Sequence, residues 1–213
     1  MCGCMKFFKK SAVKKKIQRH SYNKVSYSLV LIVGHSLKDQ GARTIDGMSE
    51  YRVNSVLANR IQLASEKSPF DVHIIYRDDI GIEGAYLKAL EYDPCAIVEL
   101  HFNAYDGHVN GCEVLICDKD DEIGVNERFF ATKMLDSIHG VLRNRKRGVK
   151  TIAKRGERGF YNLSRVSSVP SILIEPFFGD NPLEYHNYLS NSDALAESIL
   201  NAFIDFRKDN IRN

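Results

Sequence analysis

Residues 26–35, SYSLVLIVGH, form an unbroken run of β-branched residues and Leu that stops at Gly34 and His35. A run with no polar face reads as a strand buried on both sides, which is what a parallel sheet covered by helices requires. Similar runs recur as CAIVELHFNA at 95–104, GCEVLIC at 111–117 and VPSILIEPFF at 169–178, and FDVHIIYRDD at 70–79 alternates before turning polar. Between them lie segments of helical period. Residues 50–67 carry Val53, Val56, Leu57 and Ile61 at helical spacing, with Ser49 placed as N-cap. Gly84 to Tyr92 forms a shorter helix. Asn126 to Asn144 turns Phe130, Met134, Leu135, Ile138 and Leu142 inward, and Asp193 to Arg207 does the same with Leu195, Ile199, Phe203 and Phe206. This alternation predicts a single α/β domain, built on a mainly parallel twisted sheet of about five or six strands with helices on both faces.

The chain has 213 residues, 44% of them hydrophobic and 27% charged, enough to bury a core without disulfide or metal staples. No Asp or Glu falls within residues 1–24, where Lys and Arg are dense, so the net charge of +3 belongs to the beginning of the chain and the remainder is acidic on balance. The expected organisation is a basic N-terminal arm over 1–27, a globular domain over 28–207 and a tail over 208–213. The arm reads either as a solvated segment or as a patch for anionic wall polymers or a membrane surface. It lacks the interleaved aromatics of a nucleic-acid binder, so nucleic acid is not an expected partner. Five cysteines without regular spacing argue against a disulfide framework. Cys95, Cys112 and Cys117 read as buried thiols, and Cys2 and Cys4 as a metal clip or a lipid site. No apolar stretch has the length of a membrane span or of a leader's apolar region, so a protein whose substrate lay outside the cytoplasm would reach it by another route.

Apolar strands deliver three polar residues. His35 ends the first run, His101 ends AIVEL, and Glu175 lies inside SILIEPFF, where a carboxylate is costly to bury without a partner. Glu50 opens the helix that follows the loop after His35. Taken singly, a strand-end His reads as a structural hydrogen-bonding group, and a Glu at a helix start as a partner for the macrodipole. In open sheets of this kind, sites form beyond the carboxyl ends of strands. Two imidazoles and a carboxylate brought together there make the three-ligand set of a catalytic zinc, with a fourth position left to water. A second carboxylate beside them, Glu175, would move the proton.

VGHSLKDQGA, Glu50, ELHFNA, the RGVK of residues 147–150 and SILIEPFFGDNP together resemble the zinc-dependent N-acetylmuramoyl-L-alanine amidases of the type-3 class, which include bacterial cell-separation enzymes and phage endolysins. The resemblance covers roughly residues 28–207. It implies one Zn2+ per chain bound by His35, Glu50 and His101, Glu175 as the catalytic residue, and peptidoglycan as substrate. It also implies action on the cell wall, as a lysis or remodelling enzyme, by a bare catalytic domain that is monomeric by default. Asn103 and Asn181 fall on family positions near the substrate. Where many members have Ser, this chain has Glu99, two residues before His101 and on the same face of the strand. Glu99 therefore reads either as a group orienting His101 or as a carboxylate bonded to a loop amide or Arg. The loop after His35 also lacks the common Gly-Gly. Two alternatives stay open. One is another zinc peptidoglycan hydrolase such as a carboxypeptidase, whose usual H-x-x-E pair is absent after His35. The other is a non-catalytic wall-binding protein.

Overall fold

The computed structural model describes residues 27–210. The elements run β1 (Ser28–Val33), α1 (Glu50–Ala64), β2 (Asp71–Ile75), α2 (Gly81–Leu90), β3 (Ala96–Leu100), β4 (Cys112–Cys117), α3 (Glu122–Leu142), β5 (Lys146–Ile152), α4 (Phe160–Leu163), β6 (Ser171–Glu175) and α5 (Pro182–Asn210). The six strands form one sheet in the order β2-β1-β3-β6-β4-β5. All pairings are parallel except β4 with β6. The expected mainly parallel α/β domain is what the chain forms.

The alternation of side chains along the strands distributes the core to both faces. Leu29, Leu31 and Val33 of β1 pack with α1, α3 and α5, whereas Val30 and Ile32 pack with Ala85, Tyr86 and Ala89 of α2. On that second face, Leu115 of β4 and Leu173 of β6 meet Leu163 of α4. On the larger face Phe203 is fully buried, edge-on to Phe70 and Phe130. Among the described residues, no helix is long and apolar enough to cross a membrane.

Several boundaries differ from the sequence reading. Val56, expected to point inward, is 42% exposed. The last helix starts at Pro182, not Asp193. Proline fits the first turn of a helix. The stretch at 187–193 is helical with Tyr188 buried, while Ser190 and Asn191 bond back to the carbonyls of His186 and Asn187. β5 and α4 carry too few buried residues to announce themselves. β5 is an edge strand dominated by charge, a usual guard against edge pairing. Of the three thiols, Cys112 is buried, while Cys95 and Cys117 are only half-buried, and all three are free. Tyr27, assigned to the arm, packs against the core with the Arg207 guanidinium over its ring. The first residues of the proposed tail belong to α5. The rest of the arm, with Cys2 and Cys4, lies outside the described residues.

Truncation of Phe203 tests the packing of the larger face. Phe203→Ala is expected to cost about 3–5 kcal/mol, the range for a buried aromatic whose site cannot collapse, read as a drop in the denaturant midpoint at unchanged slope.

Candidate metal centre and catalytic cleft

β1, β3 and β6 are adjacent and parallel, so their carboxyl ends share one edge of the sheet. Each end carries a residue singled out from the sequence: His35 two residues beyond β1, His101 directly after β3, and Glu175 as the last residue of β6. Glu50 reaches the same edge from the first turn of α1, where the Ser49 side chain accepts the Arg52 amide and starts the helix. The turn at His35 is tight. His35 has φ of 65°, and a Cβ on Gly34 would stand 2.4 Å from the Leu100 carbonyl oxygen and 2.6 Å from the His101 ring. Gly41, also at positive φ, leaves room for the His35 ring and the Glu50 carboxylate on the other side.

Glu50 lies between the two imidazoles. Its Oε1 is 2.7 Å from His101 Nδ1 and its Oε2 is 3.2 Å from His35 Nε2. The amides of Phe102 and Ala42 donate to the same two oxygens. The rings meet edge-on with centroids 5.1 Å apart. One donor atom from each of His35, Glu50 and His101 falls within a 4.8 Å span. A half-buried and a buried imidazole converge with a buried carboxylate and fit a divalent cation of the zinc type, with no fourth donor among the described residues closing the set. Without a cation, the charges settle among themselves. Burial opposes ionisation of Glu50, but hydrogen bonds from His101 and His35 outweigh it and hold the carboxyl well below its ordinary range. Burial likewise disfavours the His101 cation, yet Glu50 and Glu99 together raise the imidazole to about 10.

Glu99 is fully buried on β3 and touches both His101 and an arginine. Its Oε1 lies 3.1 Å from His101 Nε2 and accepts from Arg77 at 2.8 Å and Asn162 at 2.7 Å, while Oε2 accepts from the Tyr86 hydroxyl. Arg77 also donates to the His35 carbonyl. Both histidines are thus tied to one guanidinium.

Glu175 is 3% exposed, and its Oε2 has no hydrogen-bond partner. Burial, partly offset by the cations of His101 and Arg158, pushes its carboxyl up to about 7. On the antiparallel neighbour, Glu113 stands directly opposite Glu175. Two carboxylates so placed repel each other unless a cation intervenes, and Arg158 supplies it, 2.5 Å from Glu113 and 3.4 Å from Glu175. Arg158 also donates to Asn103, whose amide donates to Glu113. A cavity of about 380 Å3 is lined by His35, Glu50, His101, Asn103, Arg158 and Glu175 among others. Asn181 does not line it. Its carboxamide oxygen accepts the amides of Leu183 and Glu184 at the start of α5, and its nitrogen donates to the carbonyls of His108 and Val109.

Sequence reasoning passed over Glu113, Arg77, Asn162 and Arg158. Glu113 carried a readable signal, an acid inside the apolar GCEVLIC, the same signal that marked Glu175. Arg158 and Asn162 come from the stretch between β5 and β6, which has no periodic pattern to place it.

Solved structures repeat this architecture. The chain is 22% identical to an N-acetylmuramoyl-L-alanine amidase from Clostridium difficile 630, covering 86% of this chain and 97% of that one with a TM-score of 0.74. It is 18% identical to the catalytic domain of CwlV, an N-acetylmuramoyl-L-alanine amidase from Bacillus (Paenibacillus) polymyxa var. colistinus, over 85% and 98% of the two chains with a TM-score of 0.73. It is 23% identical to the catalytic domain of the CD27L endolysin, which targets Clostridia difficile, over 84% and 97% with a TM-score of 0.65. Identities this low establish a common fold. No curated protein matches the chain. The model of the type-3 amidases, described as N-acetylmuramoyl-L-alanine amidase, matches residues 29–205, and the chain therefore belongs to the N-acetylmuramoyl-L-alanine amidase family.

Proposed function

We propose that this enzyme cuts the amide between N-acetylmuramic acid and L-alanine of peptidoglycan in lysis or remodelling of the wall, using one zinc ion held by His35, Glu50 and His101, with Glu175 as the proton carrier. The observation that carries the reading is the convergence of those three donors within 4.8 Å at the edge of the sheet where Glu175 also ends its strand. When bound, zinc supplies a Lewis acid that polarises the amide carbonyl and acidifies a water. The rest falls to the protein. Glu99 and the Phe102 and Ala42 amides hold the imidazole and the carboxylate in place. Glu175 takes the proton of the attacking water and passes it to the leaving nitrogen of L-alanine. A carboxyl buried until its proton affinity lies near neutrality suits both halves of that transfer. Arg158 keeps Glu113 from repelling Glu175 and leaves the latter's second oxygen free.

Product analysis separates this reading from its alternatives. An amidase frees the whole stem peptide with a new L-alanine amine, a carboxypeptidase frees one terminal amino acid, and a wall-binding protein frees nothing. Glu175→Ala is expected to lose about 10²–10⁴-fold in kcat, the usual worth of a positioned acid-base group, with zinc content and fold retained. His35→Ala or His101→Ala should lose metal and activity together. Lytic activity that survives in Glu175→Ala would remove the mechanism.

The same carboxyl has a signature in stability. In the unfolded chain it titrates at its ordinary value of 4.5, and in the folded metal-free chain at about 7. Below 4.5 both states hold the proton. Between 4.5 and 7 the unfolded state gives it up first, so stability falls as pH rises, and it levels off above 7. In Glu175→Gln that fall is absent. The variant should gain on the chelated wild type by on the order of 3 kcal/mol between pH 4 and pH 8, read from urea unfolding at a series of pH values.

A further inference from the structure

Basic residues crowd one segment that ends at the cleft wall. Residues 143–158, RNRKRGVKTIAKRGER, hold eight Lys or Arg and a single acid, Glu157. They follow α3 and include the edge strand β5. β5 runs parallel to β4, and β4 runs against β6. The beginning of β5 therefore lies at the sheet edge where β6 ends, beside Glu175. Arg143 and Arg145 are exposed there, and among the described residues neither pairs with an acid.

These arginines connect to the cleft through one carboxylate. Glu113 is buried and bonds both Arg158, at the cavity wall, and Arg147, at the start of β5. Gly111, next along the edge, has room only for a hydrogen, since a Cβ would stand 2.3 Å from the Arg145 carbonyl and 2.9 Å from the Arg147 side chain. Beyond it, Arg143 and Arg145 border a hollow of about 320 Å3. The one carboxylate at that hollow, Glu184, has both oxygens taken by the amides of Gly111 and Phe178. The line of guanidinium groups thus begins at the cavity wall, is interrupted by the paired carboxylate Glu113 and ends in an open depression.

We infer that Arg158, Arg147, Arg145 and Arg143 form a track that binds the ionised carboxylates of the stem peptide while its amide lies in the cleft. The inference rests on the amidase reading and adds where the acidic peptide of the substrate lies, along the start of β5. A stem peptide ends in a carboxylate, and the planar guanidinium fork matches that group in two hydrogen bonds. The two inner arginines are positioned by Glu113. The two outer ones stand free to be neutralised by substrate.

The test uses Arg143→Asn with Arg145→Gln, the two residues of the track that touch neither the metal donors nor Glu175, Asn being chosen because position 143 adopts a left-handed conformation. Two readouts are taken: binding of a fluorescent soluble stem peptide, and KM on peptidoglycan stripped of phosphate polymers. Each is repeated with the stem carboxylates amidated and at low and high salt. The double variant should bind the ionised peptide about tenfold more weakly, as expected for losing a charge-assisted contact, with a matching rise in KM. The difference should vanish with amidated stems and shrink at high salt. Equal affinity of wild type and variant for the ionised peptide would overturn the track, as would an equal loss on amidated stems. So would a difference seen only on walls that keep their phosphate polymers. If wild type binds the peptide through these arginines but frees no stem from the wall, the track stands and the amidase reading falls.

Discussion

Three adjacent strands end at one edge of a parallel sheet, and each ends in or beside a group that cannot be left alone in an apolar interior. That constraint organises the rest of the molecule. An isolated charge in the core costs far more than one hydrogen bond returns, so every such group must find partners. His101 and His35 find Glu50, Glu99 finds Arg77, Tyr86 and Asn162, and Glu113 finds Arg147 and Arg158. Of the four carboxylates Glu50, Glu99, Glu113 and Glu175, the last keeps an oxygen without a partner, and its burial raises its proton affinity.

The partners come from elements far apart in the chain. Arg77 follows β2, Tyr86 lies on α2, Asn162 on α4, and Arg158 on the segment between β5 and α4. Their bonds fasten the smaller face of the sheet to the cleft, so the layers and the site support each other. A buried network of this kind is stabilising only when its members are satisfied together. Loss of one member leaves the rest buried with charge uncompensated, so the cleft should tolerate conservative changes at its rim better than deletions at Glu99 or Glu113.

The strands that are apolar on both faces were legible because their composition permits nothing else, and they are the ones that carry His35, His101 and Glu175. The long helices were legible from period. What escaped has a common cause. β5 and α4 are held by neighbours rather than by their own pattern, with few buried side chains between them. The first half of α5 was hidden by Asn and Ser residues that turn their side chains onto the helix backbone. Arg77, Arg158 and Asn162 gain their importance only from the three-dimensional approach of a carboxylate. Glu99 was read from the strand's period of two, which put it on the same face as His101, and the sequence left open whether it orients His101 or bonds a loop amide or an arginine.

The central claim is that His35, Glu50 and His101 share one cation. X-ray absorption at the zinc edge on the metal-loaded protein tests it most directly. The account predicts one zinc per chain with two imidazole nitrogens and a carboxylate oxygen at about 2.0–2.2 Å, and loss of one imidazole from that shell in His101→Ala. Sulfur ligands at about 2.3 Å, or a shell that the His101 substitution leaves unchanged, would contradict it.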